Sequence, residues 1–142
     1  MRLAEIPDVC LEESGVTLKY LVLRVASNGE EKILVRGLNY RPYDPGLEKR
    51  IVERTFDELD EAGFDEENDI LEVGGGGALS RNPYDQTISL FGADPVYQQE
   101  ADREATAKLV ERAFPDHEVS WALPEGDASP SASSKEKEKQ KR

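Results

Sequence analysis

The chain has 142 residues, with 37% hydrophobic and 34% charged side chains and a formal net charge of −12 at pH 7. That is one domain's worth of chain, with no apolar run of about 18 residues to span a membrane. The charge is unevenly placed: Lys135–Arg142 holds five basic and two acidic residues, which leaves residues 1–134 at −15, a body that repels nucleic acid and anionic membranes.

In chain order, Ile6–Glu13 reads as a short strand, and Val16–Val25 as a strand apolar on both faces and therefore central. Asn28-Gly29 signals a hairpin turn, with Glu31–Leu38 returning as the partner strand. Asp44-Pro45 reads as the cap and first position of a helix. Its apolar stripe is Leu47, Ile51, Val52, Phe56 and Leu59, and Gly63 ends it. Asp69–Val73 and Thr87–Phe91 read as strands. Gln98–Phe114 reads as a second helix with Tyr97, Ala101, Ala105, Leu109 and Ala113 at four-residue spacing, stopped by Pro115. Glu118–Leu123 is the last strand. The order βββαββαβ predicts an α+β domain over residues 1–123, a mixed sheet of about six strands with two helices packed on it. Residues 124–142, rich in Ser, Pro, Lys and Glu, are expected to form a disordered tail. The N-terminus lacks an apolar h-region and there is a single cysteine, Cys10, so a cytoplasmic location is expected and an internal disulfide is excluded. Cys10 itself reads as a half-buried strand residue rather than a nucleophile.

Gly74–Gly77 is the strongest local pointer to function. Four residues without Cβ allow positive φ and a nest of N–H groups that attracts phosphate or carboxylate. No Lys-Ser or Lys-Thr follows, as a Walker loop needs, and Asn82-Pro83-Tyr84 reads as a turn where a Rossmann motif needs a helix. The alternative is a tight connection or bulge that binds nothing. The Asn28-Gly29 turn places Lys19 opposite Leu38 and Leu21 opposite Arg36, so Lys19 and Arg36 become diagonal neighbours on one face. Two adjacent cations are unfavourable unless an anion joins them; otherwise their stems cover apolar surface and their heads reach water. Asp44 reads as a helix cap, with general base as the alternative role. His117, the one histidine, is expected at the surface at a strand start, and no metal-binding set can be assembled around it.

Taken together, these pieces resemble the Janus/Ocnus family, which includes the small protein phosphohistidine phosphatases. The resemblance runs from Ile6 to Ala122 and rests on Ile6-Pro7-Asp8-Val9, Gly15-Val16 with Lys19-Tyr20-Leu21 and Arg24-Val25, Val35-Arg36-Gly37, Gly75-Gly76-Gly77 with Ser80, and Phe114–Ala122. It implies a mixed sheet with helices against it and metal-free, cofactor-free removal of phosphate from phosphohistidine. Carried over, the phosphate-holding Lys and Arg match Lys19 and Arg36, assisted by Gly75, Gly76 and Gly77. The family's catalytic histidine falls on Asp44; a slip within the first helix, which is longer than usual, would bring Glu48 or Lys49 there but no histidine. An arginine after the glycines falls on Ala78, with Arg81 as a possible substitute. In the loop after Thr87–Phe91 the matching Gly92 and Tyr97 remain, whereas Asp94 replaces a small hydroxyl residue and is expected to repel phosphate. The departures at Asp44 and Ala78 lead to the expectation of a module, monomeric, that binds phosphate, a phosphorylated protein or an acidic segment with little or no turnover. The alternative is an active phosphohistidine phosphatase with a rewired base.

Overall fold

A computed structural model describes residues 1–13 and 16–124. Its elements are β1 (Val9–Leu11), β2 (Thr17–Ser27), β3 (Glu30–Asn39), α1 (Leu47–Glu61), β4 (Ile70–Asn82), β5 (Thr87–Phe91), α2 (Arg103–Ala113) and β6 (Glu118–Trp121), preceded by a 3-10 turn at Leu3–Glu5. They form one six-stranded mixed sheet in the order β1-β3-β2-β4-β5-β6. The β1/β3 and β5/β6 pairs are parallel and the rest antiparallel. The architecture is α+β as expected, and the expected tail, apart from Pro124, lies outside the described residues.

Strand β2 is the spine. Leu18, Tyr20 and Val22 point to one face, where they pack with Leu79, Ile88, Leu90 and Val110 of α2. Leu21 and Leu23 point to the other, against Leu47 and Ile51 of α1. A strand buried on both faces is continuously apolar, as its sequence is. The helices therefore cover opposite faces of the sheet. The hairpin closes through Asn28 at φ 55° and Gly29 at φ 81°, the paired left-handed conformations of a type I′ turn. Its register brings Lys19 opposite Leu38 and Leu21 opposite Arg36.

The glycine run is not a loop. Gly74–Gly77 lies inside β4, a 13-residue strand that crosses the sheet beside β2. The pairing shifts between Leu21 and Leu23, so a bulge falls on Gly74-Gly75, with Gly75 at φ 116°. Missing side chains here make room for other backbone. A Cβ on Gly75 would lie 2.5 Å from the Glu100 nitrogen, and one on Gly77 2.6 Å from the Phe91 carbonyl oxygen.

The helix boundaries also differ from expectation. Helix α1 begins at Leu47 with Gly46 in the cap position, two residues after the expected cap. Its end is closed by bonds from Gly63 N–H to the Asp60 carbonyl and from Phe64 N–H to the Leu59 carbonyl. Helix α2 begins at Arg103, capped by the Asp102 carboxylate on the Ala105 N–H. Its buried face is Arg103, Thr106, Ala107 and Val110, while Ala101, Ala105 and Ala113 are exposed. Of the four-residue stripe expected there, Leu109 alone packs against the core and the alanines lie on the solvent side. Cys10, on edge strand β1, is exposed rather than half-buried.

Candidate functional site

Lys19, on β2, points to the α1 face near one end of the sheet, and two other elements converge on it. Its ammonium donates to Asp94 Oδ1 at 2.8 Å and to Glu48 Oε2 at 3.2 Å. Glu48 comes from the first turn of α1 and Asp94 from the loop after β5. The Lys19 and Glu48 side chains are about one-eighth exposed and that of Asp94 is wholly buried.

Asp94 is held from every side. Its second oxygen accepts the Val96 N–H at 2.9 Å and the Tyr97 N–H at 2.8 Å. Its own N–H donates to the Gly76 carbonyl, and its carbonyl accepts the Gln98 N–H. Burial pushes the carboxyl pKa up, but the Lys19 bond and the two amides outweigh it and hold it below the usual range. For Lys19, burial works against the charge, and Asp94 and Glu48 outweigh it to raise the pKa. One ammonium and two backbone N–H groups form the set of donors that would cradle an oxyanion. The chain fills the cradle with its own side chain, so Asp94 anchors the site instead of merely opposing phosphate.

These shifts set a pH window. An Asp pKa lowered in the fold contributes stability above the unfolded value of about 3.9 and loses it as pH falls through the folded value. A raised Lys pKa contributes below about 10.4 and loses it as pH rises through the folded value. The stability difference between wild type and Asp94→Asn, measured by urea denaturation, should be flat from about pH 5 to 9 and shrink below about pH 4. A difference still undiminished at pH 2.5 would show that the Asp94 charge adds nothing.

The other expected site residues are dispersed. Arg36 shares the face of Lys19 as the register requires, but it is buried in its own shell. Its Nε and Nη2 grip Glu58 at 2.9 and 2.8 Å, and its Nη1 and Nη2 reach the carbonyls of Asp8, Val35 and Pro7. Each cation has its own carboxylate partners, so no external anion is needed to keep the pair apart. Asp44 does not cap α1 directly. One oxygen accepts the Gly46 N–H and the other takes Arg50. Arg50 above all, and then the Gly46 amide, lower its pKa. Arg81 pairs with Ile88 on the α2 face, opposite Lys19, and its guanidinium bonds the Glu12 and Glu13 carbonyls. It therefore cannot replace the arginine absent at Ala78. Gly76 N–H is bonded to the Gln98 carbonyl, and the Gly76 carbonyl takes Asp94 and Arg103. The expected glycine nest is thus strand backbone, engaged by the segment that carries Asp94. Tyr97 is exposed and contributes its amide. His117 stacks edge-on to Phe114 with ring centroids 5.7 Å apart, beside the start of β6. By register it lies three strands across the sheet from Lys19 and five residues further along.

Three contributors escaped the sequence reading: Glu58, Glu100 and Arg103. Glu58 follows Ile51 and Thr55 on the buried face of α1, a spacing that could have revealed it. Glu100 and Arg103 lie i,i+3 apart, which also marks a pair, but burial of both could not be foreseen. No group of His, Cys, Asp and Glu among the described residues is arranged to hold a metal ion. No helix among them is long and apolar enough to cross a membrane.

Comparison with known proteins adds one finding to this geometry. No curated protein matches the chain. The profile of the Janus/Ocnus family (Ocnus) matches residues 3–118, from the 3-10 turn to the first residue of β6, and this chain belongs to that family.

Proposed function

We propose that this chain is a binding module of the Janus/Ocnus fold with little or no phosphatase turnover. Its Lys19 site takes a phosphate group or an acidic side chain of a protein in exchange for Glu48. The observation that carries this reading is the pair of carboxylates on Lys19. Asp94 is fixed by two amides, whereas Glu48 makes the longer contact from a helix turn and is the displaceable partner. Turnover lacks a group to drive it. Releasing phosphate from histidine calls for a residue that acts as base and then acid near neutral pH, and Asp44 has both oxygens engaged and its pKa lowered. The segment leading into α1 exposes Tyr40 and Tyr43, and the loop that carries Asp94 exposes Val96 and Tyr97, side chains suited to a protein contact.

The test is dephosphorylation of a phosphohistidine protein beside a family member that has the histidine. Wild type should be at least ~10²-fold slower, the usual worth of general acid–base assistance. Inorganic phosphate should shift the Val96 and Tyr97 amides weakly, and Glu48→Gln should strengthen that response while Lys19→Ala removes it. A wild-type rate equal to the relative's would restore the reading as an active enzyme with a rewired base. A phosphate response indifferent to Glu48→Gln and Lys19→Ala would remove Lys19 as the ligand site.

A further inference from the structure

The far end of α1 carries a cavity of about 450 Å³ between the helix and the start of β4. Glu48 and Phe56 are eight residues apart on the helix, so it lies roughly 12 Å or more along the axis from the Lys19 site. Its apolar walls are Phe56, Phe64 and Leu71, with Ile70 at the margin. Phe56 and Phe64 meet edge to face, with ring centroids 5.6 Å apart. Phe56 is 36% exposed and Ile70 49% exposed. The ionisable residues around it are Asp60, Glu66 and Asp69, all acidic. Asp69 is committed to the loop, accepting the Asp65 N–H at 2.9 Å. Asp60 and Glu66 are exposed, and no ion pair holds either carboxylate among the described residues.

The strand beside the cavity is also open. Strand β4 pairs with β5 only over Ala78–Asn82, so among the described residues its Ile70–Val73 stretch has β2 on one side and no strand on the other. An exposed strand edge next to an aromatic cavity suits an extended segment that adds its backbone to the edge and a side chain to the cavity.

We propose that this cavity docks a basic segment of a partner protein, with an arginine or lysine beside an apolar anchor residue. The charge selects the occupant. An acidic or purely apolar segment would bury Asp60 and Glu66 without partners, which is unfavourable. A cationic side chain pairs with them and lies over the Phe rings, whose faces attract cations. The surrounding charge of −15 draws such a segment in at long range. A second copy of the chain would bring that same negative charge against it. The chain's own Lys135–Arg142 run is basic but has no apolar or aromatic residue to fill the walls.

Full-length, ¹⁵N-labelled protein titrated with an alternating Arg-Leu hexapeptide tests this, with an alternating Glu-Leu hexapeptide as control. The Arg-Leu peptide should shift the amides of Phe56, Phe64 and Asp69–Leu71, and the Glu-Leu peptide should not. Phe56→Ala should weaken binding about tenfold. The surface double variant Asp60→Asn/Glu66→Gln, which leaves the core untouched, should do the same. Shifts spread evenly over the acidic surface, or binding indifferent to both variants, would overturn the proposal. Truncation after Pro124 that shifts these same amides in the absence of peptide would assign the cavity to the chain's own tail and overturn it as well.

Discussion

Gly76→Ala is expected to cost about 3 kcal/mol of stability, the upper end for forcing an atom into packed structure, read as a drop in the urea midpoint. A Cβ at this position would fall onto the Tyr20 carbonyl oxygen, far inside contact distance, and 3.0 Å from the Leu21 Cα. Neither atom can step aside, because both belong to the backbone of β2, the strand paired with β3 on one side and β4 on the other. Gly74 provides the control within the same run. A Cβ there would meet its nearest atom, the Val22 carbonyl oxygen, at 3.5 Å, an ordinary contact, and the residue is exposed. Gly74→Ala should therefore change stability by no more than about 0.5 kcal/mol, as surface substitutions do. Equal effects at the two positions would show that the run does not sit within the sheet as described.

That contrast also explains what the sequence conceals. A strand announces itself by alternating side chains, and Gly74–Gly77 has none, so a stretch of central sheet reads as a loop. The strand persists there because β2 pairs with it and the 94–103 segment lies against it, both contacts remote in sequence. The hairpin and the central strand, by contrast, have local determinants that the sequence displays. The Asn28-Gly29 turn sets a register that places Lys19 and Arg36 on one face, and the unbroken apolar run of β2 marks it as the spine. The carboxylates that settle those cations are not local. Asp94 is 75 residues from Lys19 and Glu58 is 22 from Arg36, so the two cations look unpaired until the chain is folded. Helix α2 fails for a related reason. Its buried face includes Arg103 and Thr106, which a hydrophobic pattern assigns to solvent, while small alanines occupy the exposed side. A buried arginine is tolerated only if paired, and pairing is a property of the fold.

Arg103→Met should destabilise the protein by roughly 3–5 kcal/mol, the cost of removing one partner from a buried ion pair. Arg103 has a fully buried side chain, and its Nη2 donates to Glu100 Oε1 at 2.8 Å, with Glu100 only 3% exposed. Its Nη1 donates to the Ala122 carbonyl, which ties α2 to the end of β6, and its Nη2 also reaches the Gly76 carbonyl at 3.4 Å. Tyr20 completes the group, its hydroxyl donating to Glu100 Oε2 at 2.7 Å. Burial first, and then the Glu100 charge, raise the phenol pKa, so it remains a donor throughout the working pH range. Without Arg103, the Glu100 carboxyl group stays in the core with Tyr20 as its remaining side-chain partner. Glu100→Gln introduced into Arg103→Met should recover part of the loss, because it removes the carboxyl group left without its cation; a coupling of about 1–3 kcal/mol in the double-mutant cycle is the expected reading. Losses that simply add would mean that Arg103 acts through packing alone. The clamp has a consequence for the Lys19 site as well. Glu100 follows the segment in which Asp94 and Gln98 bond to Gly76, and Arg103 holds that segment against β4. In Arg103→Met the Val96 and Tyr97 amides should therefore shift and lose hydrogen-exchange protection, because the carboxylate they cap is no longer held beside Lys19. Protection unchanged at these two amides would show that the Lys19–Asp94 pair holds the loop without help from the clamp.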